Sequence, residues 1–159
     1  MQRDLVEAAQ QGDHEAFEAI ATGAADRLYA IARLILRDAD LAQDAVQEAL
    51  IRTWHGLPGL RDPERFEAWL RRLLVDTCTD LARSRTRLTA NVHVIKTDLP
   101  SPDDSQLVAE RDQLGRGFRR LRPEQRAVVV MRYYVGLNLE EIADTLKMEA
   151  EPLPLPHTM

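Results

Sequence analysis

Cysteine is nearly absent from this 159-residue chain, where Cys78 stands alone. No internal disulfide can form, so a disulfide-stapled scaffold is excluded and a reducing compartment fits the composition. Nor is there a cysteine pair to hold a structural zinc ion. Glycine and proline are sparse, at 7 and 8 residues, which excludes collagen-like and low-complexity architectures. Lysine is scarcer still: of 21 basic residues only Lys96 and Lys147 are lysine, leaving 21 minus 2, or 19, arginines. A run of about 18 uncharged apolar residues, the least that spans a bilayer as a helix, occurs nowhere. The amino terminus, MQRDLVEAAQQGDHEAF, also lacks the apolar stretch of a signal peptide. A cytoplasmic location without membrane insertion is the resulting expectation. What remains is a chain 45% hydrophobic and 30% charged, suited to a soluble fold of one or two small domains.

Catalytic constellations are missing as well. His14, His55, His93 and His157 are isolated, with no second histidine at metal-ligand spacing. Gly115-Arg116-Gly117 is followed by Arg120 rather than a third glycine, so no dinucleotide or phosphate loop is formed. The carboxylate pairs Asp103-Asp104 and Glu140-Glu141 fall in a loop and in the first turn of a helix, where capping accounts for the second. The chain is expected to be neither an enzyme nor the holder of a metal or cofactor.

The net charge of -5 is an average over segregated blocks. Arg83, Arg85 and Arg87 fall within five residues without an acid, and Arg111 to Arg126 carries six arginines against Asp112 and Glu124, a net of +4. Acids gather elsewhere, at Asp38, Asp40, Asp44 and Glu48, at Asp98 to Glu110, and at Glu140 to Glu151. Arginine grips phosphate oxygens in pairs, so such segregation points to more than one kind of partner.

Hydrophobic spacing is helical almost throughout, and the fold class expected is all-α. Leu5 to Ala21 reads as a polar helix broken at Gly12, restarted by Asp13 and ended at Thr22-Gly23. Leu28, Ile31, Ala32 and Ile35 mark the next helix. Another opens at Asp40, with Gln43 completing a capping box, and runs to Trp54. Its buried row is Val46, Leu50 and Trp54 with Ala42, Ala45 and Ala49, which leaves Asp44, Gln47, Glu48 and Ile51 outward. Asp62-Pro63 starts a long helix with Phe66, Trp69, Leu70, Leu73, Thr77 and Leu81 on one face. Glu67, Arg71, Arg72, Asp76, Thr79 and Arg83 stand outside that face. From Ser84 to Asp104 the pattern dissolves into a linker, with a short strand at Val92 to Ile95. Leu107, Leu114, Phe118 and Leu121 mark a further helix, and Pro123 begins one carrying Ala127, Val128, Val130, Met131 and Tyr134 before Gly136 stops it. Asn138 and Glu141 form a capping box ahead of Ile142, Ala143 and Leu146. The domains expected are 1–84, a flexible linker at 85–104, 105–147, and a proline-containing tail at 148–159.

Two of these segments carry a resemblance. LYAIARLILRDADLAQDAVQEALIRTW with LRDPERFEAWLRRLLVDTCTDLARSRTR is similar to region two of the extracytoplasmic-function RNA polymerase sigma factors. FRRLRPEQRAVVVMRYYVGLNLEEIADTL resembles the opening of their region four, in the same order and across a linker. The resemblance covers roughly residues 4 to 147. It implies two small helical domains that bind core RNA polymerase and promoter DNA, melt the minus-ten element to start transcription, and answer to an anti-sigma factor. By position, DAVQEALIRTW resembles the polymerase-binding helix, which assigns docking to Asp44, Gln47, Glu48 and Ile51. Leu57 to Asp62 and the helix after it match the part that reads and opens the minus-ten element. Arg61, Arg65 and Arg72 would then hold the backbone, and Arg83, Arg85 and Arg87 would extend the basic track. Trp69 is read as core rather than as a base-stacking ring.

Two departures accompany the resemblance. Where relatives carry asparagine this chain has Asp76, which at neutral pH accepts hydrogen bonds but donates none, so the base contact there differs in kind. After Leu146 follow 159 minus 146, or 13, residues with three prolines and no arginine, in place of a turn and recognition helix. Impaired reading of the minus-thirty-five element is the expectation. The alternative is a transcriptionally inactive decoy that occupies polymerase or an anti-sigma factor.

Overall fold

The computed structural model describes residues 2–89 and 106–147. All regular elements among the described residues are helical: α1 (Gln2–Gln10), α2 (His14–Leu36), α3 (Ala39–Gly56), α4 (Phe66–Thr89), α5 (Gln106–Arg120), α6 (Pro123–Val129) and α7 (Leu139–Lys147). The expected strand at Val92 to Ile95 and the tail at 148–159 lie outside the described residues.

Break and restart between α1 and α2 fall where Gly12 and Asp13 indicate, with the Asp13 carboxylate accepting from the amides of Glu15 and Ala16 at 3.0 and 3.2 Å. The expected stop at Thr22-Gly23 is wrong. α2 passes through both residues, because Ile20, Ala24, Leu28, Ile31 and Ile35 form one buried row whose packing outweighs a single glycine, worth about 1 kcal/mol. The start of α3 also differs: the cap is Asp38, which accepts from the Leu41 amide at 2.9 Å, two residues ahead of the expected Asp40.

On α3 the buried row holds Ala42, Ala45, Val46 and Ala49 as expected, but continues with Thr53 and Gly56 in place of Leu50 and Trp54. Small side chains let this helix approach its neighbours closely, and the larger Leu50 and Trp54 lie half-buried at the seam. Trp54 stacks on His14 with ring centroids 4.6 Å apart, which fastens α3 to the start of α2. Buried Thr53 donates to the Ala49 carbonyl at 2.7 Å and Thr77 to that of Leu73 at 2.6 Å, so neither hydroxyl is left unsatisfied in the core. A Cβ at Gly56 would meet the Trp69 ring at 3.0 Å, so glycine is what admits the indole. Trp69 is accordingly a core residue, as its spacing suggested.

α4 packs on α2 and α3 through Phe66, Trp69, Leu70, Leu73, Leu74, Thr77 and Cys78. Burial pushes the Cys78 thiol up to about 12, consistent with core filling. The helix continues to Thr89, past the expected boundary at residue 84. Arg72 and Thr79, expected outside the core face, are buried, because α4 is covered on more than one side. α6 and α7 pack against α4, and α6 also against α2, and the buried residues of both halves form one apolar cluster.

Leu114, one of the apolar residues whose spacing marks α5, is 76% exposed, whereas Phe118 is half-buried with the Arg37 guanidinium 5.7 Å from its ring centre. After α6 the chain widens into a π-helical turn, Val130–Val135, before Gly136 ends it at φ +87. One extra residue per turn rotates Tyr134 off the Ala127–Val130–Met131 row, so Tyr133 and Tyr134 are exposed and Leu137 is buried instead. The second capping box forms as expected: the Asn138 amide donates to Glu141 at 3.0 Å and the Glu141 amide to Asn138 at 2.8 Å. Ala143, expected on the core side of α7, is exposed, while Ile142 and Thr145 are buried.

Candidate polymerase and promoter interfaces

Asp44, Gln47, Glu48 and Ile51 project from α3 into an open cleft of about 470 Å³, whose other wall is α4. Ile51 is 52% exposed and lies outside the core formed by the described residues. Arg52 spans the cleft. Its Nε donates to Glu48 at 3.3 Å, one turn back, and one terminal nitrogen donates to Asp80 of α4 at 3.1 Å. Asp80, Leu81 and Ser84 line the α4 side. Sequence reading missed these residues; Glu48 and Arg52 were visible as an i, i+4 pair, but contact with Asp80 is decided by packing.

The second set surrounds the segment from Leu57 to Asp62. Gln10 of α1 fixes this segment by donating to the carbonyls of Leu57 and Leu60 at 3.2 and 2.7 Å, a role with no signal in the sequence. Asp62 caps the next turn, accepting from the Glu64 amide at 3.0 Å. Ion pairs Arg3–Glu64 at 2.8 Å and Arg27–Glu67 at 2.6 Å tie the entrance of α4 to α1 and α2. Arg61 and Arg65 are exposed on this edge.

The remaining arginines do not form one track. Arg72 is only 5% exposed and sits beneath Asp76, with Nε 3.6 Å from a carboxylate oxygen. The guanidinium expected to hold the DNA backbone is thus covered in this structure and faces Asp76. Because α4 extends to Thr89, Arg83 and Arg85 point about 200° apart around one helix. Arg83 pairs with Glu124 of α6 at 2.9 Å, whereas Arg85 pairs with Asp38, the cap of α3. The side chain of Arg87 lies outside the described residues. Glu124 is held below the ordinary carboxylate range, first by a hydrogen bond from its own backbone amide and then by Arg83.

The stretch that carries the acidic face, its isoleucine and the arginine-flanked segment matches a known family in sequence. Residues 22–88 match the model of sigma-70 region 2, and residues 117–151 that of sigma-70 region 4. The chain is 34% identical to the RNA polymerase sigma-E factor of Streptomyces avermitilis, over 79% of this chain and 69% of that protein. It is 32% identical to the ECF RNA polymerase sigma factor SigM of Mycobacterium tuberculosis, over 91% of this chain and 71% of the relative. The chain belongs to the extracytoplasmic-function sigma factors. The region-two match covers α3, the Leu57 to Asp62 segment and α4 together, so both candidate interfaces of this sigma factor fall within one matched module. The region-four match takes in α6 and α7. Among the described residues no helix is long and apolar enough to cross a membrane, and no group of metal-ligating side chains forms a site.

Proposed function

We propose that this sigma factor docks on core RNA polymerase through Asp44, Gln47, Glu48 and Ile51 and opens promoter DNA with the Leu57 to Asp62 segment and α4. The observation that carries the docking half is the gathering of all four side chains at one open cleft with Ile51 half-exposed. An apolar anchor inside a polar rim gives affinity, and the surrounding carboxylates steer a basic partner. On the DNA side, Arg61, Arg65 and Arg83 supply phosphate contacts, and Asp76 offers an acceptor that suits a base amino group. The Arg83–Glu124 pair then exchanges for phosphate, while Arg85 keeps its place against Asp38. The division into domains at 1–84 and 105–147 belongs to this reading, as do cytoplasmic residence and the absence of catalysis. An anti-sigma partner rests on family membership alone.

The test is binding of the full chain to core polymerase, followed by run-off transcription. Ile51→Asp and Glu48→Arg are each expected to weaken binding by about tenfold or more without lowering the melting temperature, since both positions lie outside the apolar core. Unchanged affinity in both overturns the docking assignment. Binding without run-off product at any promoter, together with reduced output from a second sigma factor, supports the decoy instead.

A further inference from the structure

The cleft beside α3 has a second wall. Asp80 is 54% exposed in its side chain and engages Arg52 through a single carboxylate oxygen, Oδ2. Leu81, spaced as a core residue of α4, is only half-buried and lines the cleft opposite Ile51. Among the described residues the lining thus combines three carboxylates, Asp44, Glu48 and Asp80, with two apolar side chains and a single cation, Arg52. That guanidinium touches Glu48 and Asp80 at once, so it draws acids from two helices to one rim.

We propose that the polymerase-docking site is the cleft between α3 and α4 rather than a face of α3 alone, with Asp80 a contact residue and Arg52 a positioning residue. The inference rests on the docking reading above. Its occupant is a polymerase helix that presents basic side chains on either side of an apolar one, because such a helix complements both the acidic rim and the Ile51–Leu81 floor. Asp80 follows Asp76 by four residues and precedes Arg83 by three, which puts it about 40° and about 60° from them around α4. Docking and promoter reading therefore share one rigid helix, and seating the polymerase fixes the orientation of the DNA-facing row.

The test measures affinity of the full chain for core polymerase at about 0.1 M and higher salt, together with the melting temperature. Asp80→Arg is expected to weaken binding about tenfold at the lower salt, with the loss shrinking as salt rises and the melting temperature unchanged. Should Asp80→Arg lower the melting temperature, Asp80→Asn carries the test, since it keeps the shape and removes the charge; about threefold weaker binding is expected. Arg52→Gln should weaken binding in the parent chain and add little in the Asp80→Arg background, a non-additivity that mere loss of folding stability does not produce. Weakening by Asp44→Arg but not by either Asp80 variant overturns the inference and leaves α3 as the whole site. If neither Asp44→Arg nor the Asp80 variants weaken binding, the docking reading itself fails.

Discussion

The two halves of the sigma factor are built on different terms. α1 to α4 supply most of the apolar cluster, with Ile35, Phe66, Leu70, Leu74 and Cys78 almost fully removed from solvent. The described part of the second half has fewer such residues, chiefly Ala127, Val130, Met131, Leu137 and Ile142, and exposes Leu114, Tyr133, Tyr134 and Leu139. It gains burial by resting on α2 and α4. Arg126 shows how the two are joined: it donates to the Ile35 carbonyl at the end of α2 at 2.6 Å and to the Arg119 and Leu121 carbonyls at the end of α5 at 3.3 and 3.1 Å. One side chain thereby satisfies the open ends of two helices from different halves. Burial, and secondarily the charge of Arg37, lowers the pKa of this guanidinium. A short helical unit with few fully buried residues thus gains burial from its neighbour.

Core truncation breaks the comparison most severely. Leu74→Ala should cost about 2–5 kcal/mol by urea unfolding and loosen both halves, because the second leans on α4. Met131→Ala should loosen α6 and α7 while leaving amide-exchange protection in α1 to α4 largely intact. Equal loss of protection across both halves would show instead that they unfold as one unit.

A smaller effect is expected at the joint. Arg126→Ala removes three donated hydrogen bonds and leaves buried carbonyls to find water, a loss of about 1–3 kcal/mol, and should raise exchange in α6 and α7 before it touches α3.

The smallest concerns Arg83 and Glu124. Since the folded-state pKa of Glu124 is depressed, its contribution is present above the ordinary carboxylate value and is lost as pH falls through the lower folded value. Denaturation midpoints should therefore show slightly less acid sensitivity in Glu124→Gln than in the parent. The difference should fade in high salt, as for any exposed pair.

Much of this organisation was legible in the sequence. The breaks at Gly12 and Gly136, the caps at Asp13, Asp62 and Asn138, and the outward set Asp44, Gln47, Glu48 and Ile51 all follow from local rules of spacing and hydrogen bonding. Reading failed where a distant element had the deciding vote. Asp38 rather than Asp40 caps α3, and the same carboxylate meets Arg85, 47 residues away. Arg72 has the spacing of a surface residue, yet α4 is covered on that side. Tyr134 falls on a helical row until the π turn removes it.

The sequence by itself determined the all-α class, the order of the helices and the family, because helical periodicity and capping act over a few residues and the motifs lie in contiguous stretches. Only the tertiary structure decided which arginines remain exposed, that Asp80 joins Asp44 and Glu48 at one cleft, and that the second half closes its core on the first. Those outcomes depend on contacts between residues tens of positions apart, and the direction of a side chain there is set by packing rather than by its neighbours along the chain.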